Sequence, residues 1–292
     1  MEILKLVSLL SAALTIVYGL LVLTFIKGWY SLNLYKKSII TPSTKVSVIV
    51  AARDEELNIG RTIEALIAQD YPKDLTEIIF IDDHSTDSTA EIVASYANRG
   101  VKLIKLNENQ ALNSYKKKAI QTAIGSCSGD LIITTDADCV MGTKWLSSVV
   151  EFYQNKGYKM ISSPVSYFEE KTYFERLQSL EFLYLIGLGA STIGNKKPST
   201  CNGANLAYEK VTFYEVGGFQ GIDDLASGDD ELLLHKIAAK YPDKIGFLKN
   251  RSAIVYTHAK ENLKSFIQQR KRWASKSTRY KNKAIIVLGV FV

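Results

Sequence analysis

Cysteine is scarce. Cys127, Cys139 and Cys201 are too few and too irregularly placed for a disulfide framework, and no Cys-x-x-Cys pair offers a zinc site. A reducing compartment is the default that follows. Internal repeats and low-complexity linkers are missing too, so one folded domain with membrane attachments is expected. A chain that is 47% apolar and 23% charged is neither disordered nor collagen-like. Acid is locally absent. Residues 27 to 45 carry Lys27, Lys36, Lys37 and Lys45 without an acid, and residues 264 to 283 carry eight basic residues without one. Taking these twelve positive charges from the net +6 leaves the rest of the chain at −6. The basic charge is therefore segregated. The pattern argues against nucleic acid as a partner and for anionic lipid head groups.

What the sequence does have is a long apolar run. Leu6 to Ile26 holds 21 residues with no charge, which as a helix spans roughly 30 Å, the thickness of a bilayer core. A cleaved signal peptide is the alternative. The run is longer than a normal signal core, and Lys27, Gly28 and Trp29 follow it rather than a small-residue cleavage site. We read residues 1–28 as an uncleaved transmembrane anchor and 29–44 as a juxtamembrane linker. The lysines after the anchor place the body of the protein in the cytoplasm, at the cell membrane. Residues 284–292, Ala-Ile-Ile-Val-Leu-Gly-Val-Phe-Val, are expected to begin a second membrane segment cut short; a final buried strand is the alternative. The basic residues 264–283 before them read as an interfacial segment.

From Lys45 onward strand and helix alternate. Strands are predicted over 45–53, 76–83, 101–106 and 130–138, with helices over 58–69, 85–100 and 114–127. Such alternation predicts an α/β fold with a mostly parallel, doubly wound sheet. Three strands end on charge: Arg53-Asp54-Glu55, Asp82-Asp83, and Asp136 with Asp138. Ligands of such sheets sit beyond the carboxyl ends of the strands, so these ends are expected to share one crevice. Residues 172–191 predict a helix with few charges in its latter part, either a core helix or one lying against a bilayer.

Paired carboxylates at a strand end call for a cation. Their hard oxygens suit Mg²⁺ or Mn²⁺, with substrate phosphates completing the shell. Asp-x-Asp alone is a weak motif. The ordered set is specific: VSVIVAARDEELNI, IIFIDDHSTDST, IITTDADC, GANLAYEKVTFYEVGGF, SGDDELLLHKI and QRKRW. Together these resemble the family 2 glycosyltransferases with the nucleotide-diphospho-sugar (GT-A) fold, across a catalytic domain placed at 45–263 and the basic segment that follows.

The resemblance implies roles. Ala51, Arg53 and Glu55 line the nucleotide end, and Asp82 and Asp83 hold base and ribose. Asp136 positions the nucleotide sugar, and Asp138 binds the metal, Mg²⁺ or Mn²⁺. Gly203, Ala204 and Asn205 lie near sugar and acceptor. Asp230 is the general base, with Asp229 beside it. Gln269, Arg272 and Trp273 match Gln-x-x-Arg-Trp and close over the diphosphate and the acceptor entrance. The implied reaction is inverting transfer from a nucleotide-diphosphate sugar, with UDP favoured, to a membrane-associated lipid or a growing polysaccharide. Two positions depart from the family pattern: His84 replaces its usual Gly, and Asp229 its Glu. Lys116, Lys117 and Lys118 fall where the family often has lysine, though a solvated helix face explains them equally. His258 is a candidate second metal ligand, with a structural role as the alternative.

Three other classes compete. A haloacid-dehalogenase-type phosphatase would use Asp136 as nucleophile, but its nucleophile strand normally opens the domain. A nucleotidyltransferase shares the sheet logic but lacks Gln-x-x-Arg-Trp. A binding scaffold would tolerate loss of Asp230.

Overall fold

The computed structural model describes residues 2–36, 41–107, 114–225 and 227–276. Helix α1 (Glu2–Ser31) comes first. Then β1 (Val46–Ala52), α2 (Ile59–Ile67), β2 (Thr76–Asp82), α3 (Thr89–Ser95), β3 (Val101–Lys105), α4 (Tyr115–Ser126) and β4 (Leu131–Asp136) alternate as predicted. The four strands pair in parallel in the order β3-β2-β1-β4. Strand β1 is buried along nearly its whole length, the pattern of a strand covered on both faces. Winding direction reverses between β1 and β4, and a crevice opens beyond the strand ends at such a reversal. Ala51 pairs with Asp136, and Ala52 with Asp82. This register sets the acidic ends in one row.

The helix expected over 85–100 is shorter. Residues 85–88 instead bind the loop after β1: Thr86 N donates to Asp54 Oδ1 at 2.7 Å, Ser88 N to Glu56 Oε2 at 3.0 Å, and Glu56 N to Asp87 Oδ2 at 3.1 Å. Short polar side chains offer the backbone partners that compete with a helical turn.

The second half comprises β5 (Val140–Met141), α5 (Trp145–Lys156), β6 (Met160–Ser162), β7 (Val165–Tyr167), α6 (Tyr173–Gly194), β8 (Leu206–Glu209), α7 (Lys210–Glu215), α8 (Glu231–Lys240), β9 (Ile245–Phe247), β10 (Val255–Thr257) and α9 (Leu263–Ser275). The main sheet continues β4-β8-β6-β9 with β8 reversed, and β5-β10-β7 form a small second sheet. Apolar layers cover both faces of the main sheet.

Helix α6 is in the core along part of its length and exposed along another. Phe182 and residues 188–193 are buried, whereas Tyr173, Leu177, Leu180, Leu183 and Tyr184 are exposed. A capping box of Thr172 and Glu175 starts it. Helix α9 lies alongside: Phe174 meets Phe266, Phe182 meets Trp273, and Arg270 Nε donates to Glu181 Oε1 at 2.8 Å.

Helix α1 is long and apolar enough to cross a membrane, with mostly exposed side chains. Its last turns cross α6 at two glycines. A Cβ at Gly28 would stand 2.0 Å from Ser191 O, and one at Gly194 would stand 2.1 Å from Gly28 O. Only glycine permits this approach. Ser31 Oγ donates to Gly194 O, and Asn195 Nδ2 to Thr24 O. The apolar run 284–292 and basic residues Arg279, Lys281 and Lys283 lie outside the described residues.

Candidate active site

A cavity of about 840 Å³ opens beyond the ends of β1 and β4. Ala51, Arg53, Glu55, Asp83, Asp136, Asp138, Gly203, Ala204, Asp229, Asp230, Gln269, Arg272 and Trp273 all line it. Asp82 and Asn205 stand off it. Asp82 Oδ1 accepts from Ser85 N at 3.3 Å. Asn205 is buried as a tie between loops, its Nδ2 donating to Pro164 O and Ala253 O while its Oδ1 accepts from Trp145 Nε1.

The chain turns directly after β4, with Cys139 N donating to Asp136 O. The turn brings ligand atoms of Asp136, Asp138 and Cys139 within 4.8 Å of one another. Burial, then Asp138 and Asp136, push the Cys139 thiol well above its usual pKa. The thiol is thus neutral and ill suited to a hard cation. Two carboxylates facing an open cavity remain, a donor set that fits Mg²⁺ or Mn²⁺. Thr257 Oγ1 donates to Asp138 Oδ2 at 3.1 Å and orients that carboxylate. His258 also lines the cavity, where its ring packs on Phe168 with centroids 4.5 Å apart.

At the opposite side α8 begins at Asp230. Its Oδ1 accepts from Glu231 N at 2.6 Å, and its Oδ2 from Gly203 N at 3.1 Å. Lys276 Nζ lies 3.7 Å from Asp230 and 2.9 Å from Glu231. Burial alone would raise the Asp230 pKa, but Lys276 and these amides hold it below the usual carboxylate value. Burial pushes Asp229 up, with Asp230 and Asp136 adding to the effect against Lys116.

Lys116 connects the two sides, at 2.7 Å from Asp136 and 3.6 Å from Asp229. Desolvation would lower its pKa, yet the two aspartates hold it above the usual lysine value. Sequence reasoning left Lys116 unassigned, because three adjacent lysines look the same as an exposed face. Tyr115 was missed altogether. It meets His84 edge to face at 5.5 Å and lies under Arg53 at 5.9 Å. His84 itself has φ +59, the left-handed region that favours the glycine it replaces.

In the Gln-x-x-Arg-Trp element the half-buried guanidinium is that of Arg270, sandwiched between Phe266 and Trp273 at 4.4 and 4.3 Å. Arg272 is exposed at the cavity and has no ion pair among the described residues.

Residues 47–217 match the sequence profile of Glycosyl transferase family 2. The chain belongs to that family. Probable glycosyltransferase YdaM of Bacillus subtilis is 29% identical over 241 residues, covering 79% of this chain and 54% of YdaM. Beta-monoglucosyldiacylglycerol synthase of Nostoc sp. is 32% identical over 122 residues, 42% of this chain and 26% of the synthase. The chain thus spans about half or less of the length of these curated relatives. The mannosyltransferase PcManGT from Pyrobaculum calidifontis, solved with GDP-Man and Mn²⁺, superposes with a TM-score of 0.68 over 94% of this chain and 76% of that one, at 20% identity. The fold of this family 2 glycosyltransferase is therefore GT-A-like. Membership of this family speaks against the phosphatase and nucleotidyltransferase alternatives.

Proposed function

We propose that this glycosyltransferase moves a sugar, with inversion, from a nucleoside-diphosphate sugar to an acceptor held at a membrane. The observation that carries the reading is that Asp138 and Asp230, on different elements, line one cavity.

In this reading Ala51, Arg53, Glu55 and Asp83 face the nucleoside, while Asp82 and Tyr115 buttress that end. Asp138, with Asp136 beside it, would hold Mg²⁺ or Mn²⁺, whose charge would offset that of the departing diphosphate. Arg272 offers the diphosphate a guanidinium fork. Gly203 and Ala204 present backbone to the sugar, and Asn205 keeps their loop in place. Asp230 takes the proton of the attacking acceptor hydroxyl. One base and a single displacement give inversion. Asp229 stays beside it, bound to Lys116. Trp273 and Gln269 border the acceptor side.

The membrane part rests on α1 together with the exposed apolar row of α6 and, on α9, exposed Leu263 and Ile267 beside Lys264 and Lys271. Apolar residues rimmed by lysine suit a lipid–water interface. The lysines that follow the apolar run favour a cytoplasmic catalytic body. A diacylglycerol-type lipid is the favoured acceptor, in keeping with the synthase relative; a growing polysaccharide is the other.

The test is transfer by detergent-solubilised protein with Mn²⁺, radiolabelled UDP-sugars and GDP-mannose, and lipid or polysaccharide acceptors. Label should move to one acceptor, and Asp230→Asn should abolish the movement. Label that never leaves any nucleotide would refute the reading.

A further inference from the structure

Lysine is almost never fully buried without a partner. Lys117 is 2% exposed, and its ammonium donates to Ile222 O at 2.7 Å, Leu225 O at 2.6 Å and Ser227 O at 2.7 Å. An ammonium has three N–H donors and no acceptor, so these carbonyls use all of its capacity. The arrangement is a cation cage built from backbone oxygen, with lysine in the place of an ion.

Two further features show what the cage holds. Lys117 stands in the first turn of α4 beside Lys116 and Lys118, where the helix dipole disfavours positive charge. Lys116 is offset by Asp136 and Asp229, and Lys117 by the three carbonyls. A local rule broken in this way marks a site where some other requirement prevails. The caged loop joins α7 to α8 and turns on Gly221 and Gly228, with φ +80 and +85. It leads directly into Asp229 and Asp230. Left without a donor, its buried carbonyls would be costly.

We propose that Lys117 is a positioning residue, an internal cation that gathers Ile222, Leu225 and Ser227 and so sets Asp229 and Asp230 in register with Lys116 across the cavity. Adjacent lysines then divide the work: one meets the acidic pair from the cavity, and the other holds the loop that carries it. The inference rests on the transfer reading for its kinetic consequence, but the cage can be tested without it.

Lys117→Met keeps the side-chain stem and removes the cation. A misplaced base is expected to lower kcat on the order of tenfold or more, with donor KM nearly unchanged. Amides of 222–231 should exchange hydrogen faster in this variant. Lys117→Arg restores charge and donors and should recover part of kcat. Ile124→Ala, also fully buried on α4, is the control for general destabilisation. It should lower Tm and leave kcat intact below its Tm. Wild-type kcat in Lys117→Met, unchanged exchange, or an equal loss of kcat in Ile124→Ala overturns the proposal. A wild-type chain inert toward every donor counts against the transfer reading alone, and the exchange comparison still decides the cage.

Discussion

The Lys116 ammonium lies 2.7 Å from Asp136 Oδ1, and its other neighbour, Asp229, is 3.6 Å away. One cation thus stands between the carboxylate pair at the end of β4 and the pair that opens α8. Lys116→Met would leave Asp136 and Asp229 without an intervening cation, in a cavity where like charges repel strongly. We expect kcat/KM to fall on the order of a hundredfold, because the groups on either side lose their spacing. Mn²⁺ affinity should rise in the same variant, since the cluster has lost its own positive charge. Calorimetric Mn²⁺ titration and initial rates measure the two effects. Unchanged rates would show Lys116 to be a surface lysine.

Asp138 and Cys139 are adjacent, and both offer atoms to the candidate metal cluster. Their chemistry separates them. Asp138→Asn removes a hard charged ligand and should weaken Mn²⁺ binding by on the order of ten- to a hundredfold. Cys139→Ala removes a thiol that burial keeps protonated and should leave Mn²⁺ affinity where it was. Chelation should stop transfer by the wild-type chain, and Mn²⁺ should restore it. Equal losses of affinity in both variants would make Cys139 a ligand.

If Asp230 is the base, as proposed, then Asp230 and Lys276 together set the acid side of the pH profile. Burial alone would raise the Asp230 pKa, and Lys276, the Glu231 amide, Lys116 and the Gly203 amide together overcome it. A base with a depressed pKa remains ionised through neutrality and loses its function only as pH falls through its folded value. Its contribution to folding stability has the same sign: present above the unfolded carboxylate value and lost below the folded one. Lys276→Met removes the largest lowering influence. The acid limb of kcat/KM should move to higher pH, and stability below neutrality should fall with it. Because Asp229 lies beside Asp230, the limb reports the pair. A limb that stays in place would exclude control by Lys276.

Much of this was legible in the sequence because parallel strands buried on both faces read as plain runs of Val and Ile. The three acidic strand ends follow from β1, β2 and β4 once a parallel sheet is assumed, and they do meet in one crevice. The Asp229–Asp230 pair was legible only through its motif, since nothing in its local pattern says which cavity it faces. Lys116 and Lys117 were illegible for a different reason. Their environments come from Asp136, Asp229 and the carbonyls of Ile222, Leu225 and Ser227, all distant in sequence, and no local periodicity distinguishes a caged lysine from a solvated one. The helix expected over 85–100 was overestimated because the partners that unwind its start, Asp54 and Glu56, lie on another loop.

Leu180 is 67% exposed on α6, and Ile267 is 42% exposed on α9. The two helices run side by side, and α6 crosses the candidate span α1 at Gly28 and Gly194, so their exposed apolar residues are candidates to meet the same bilayer. A leucine taken from water into an apolar phase contributes about 1.5–3 kcal/mol, so several such residues suffice to hold the face against lipid. In vesicles, a fluorophore at Leu180→Cys in a Cys201→Ala background should be quenched by lipid-borne nitroxide. The same fluorophore at Lys102→Cys, on edge strand β3, should not. Paired Leu177→Glu and Leu180→Glu should lower transfer to membrane-embedded acceptors by on the order of tenfold and leave donor KM unchanged. Equal quenching at both sites, or full transfer by the double variant, would place this face in water and leave α1 as the only contact with the bilayer among the described residues.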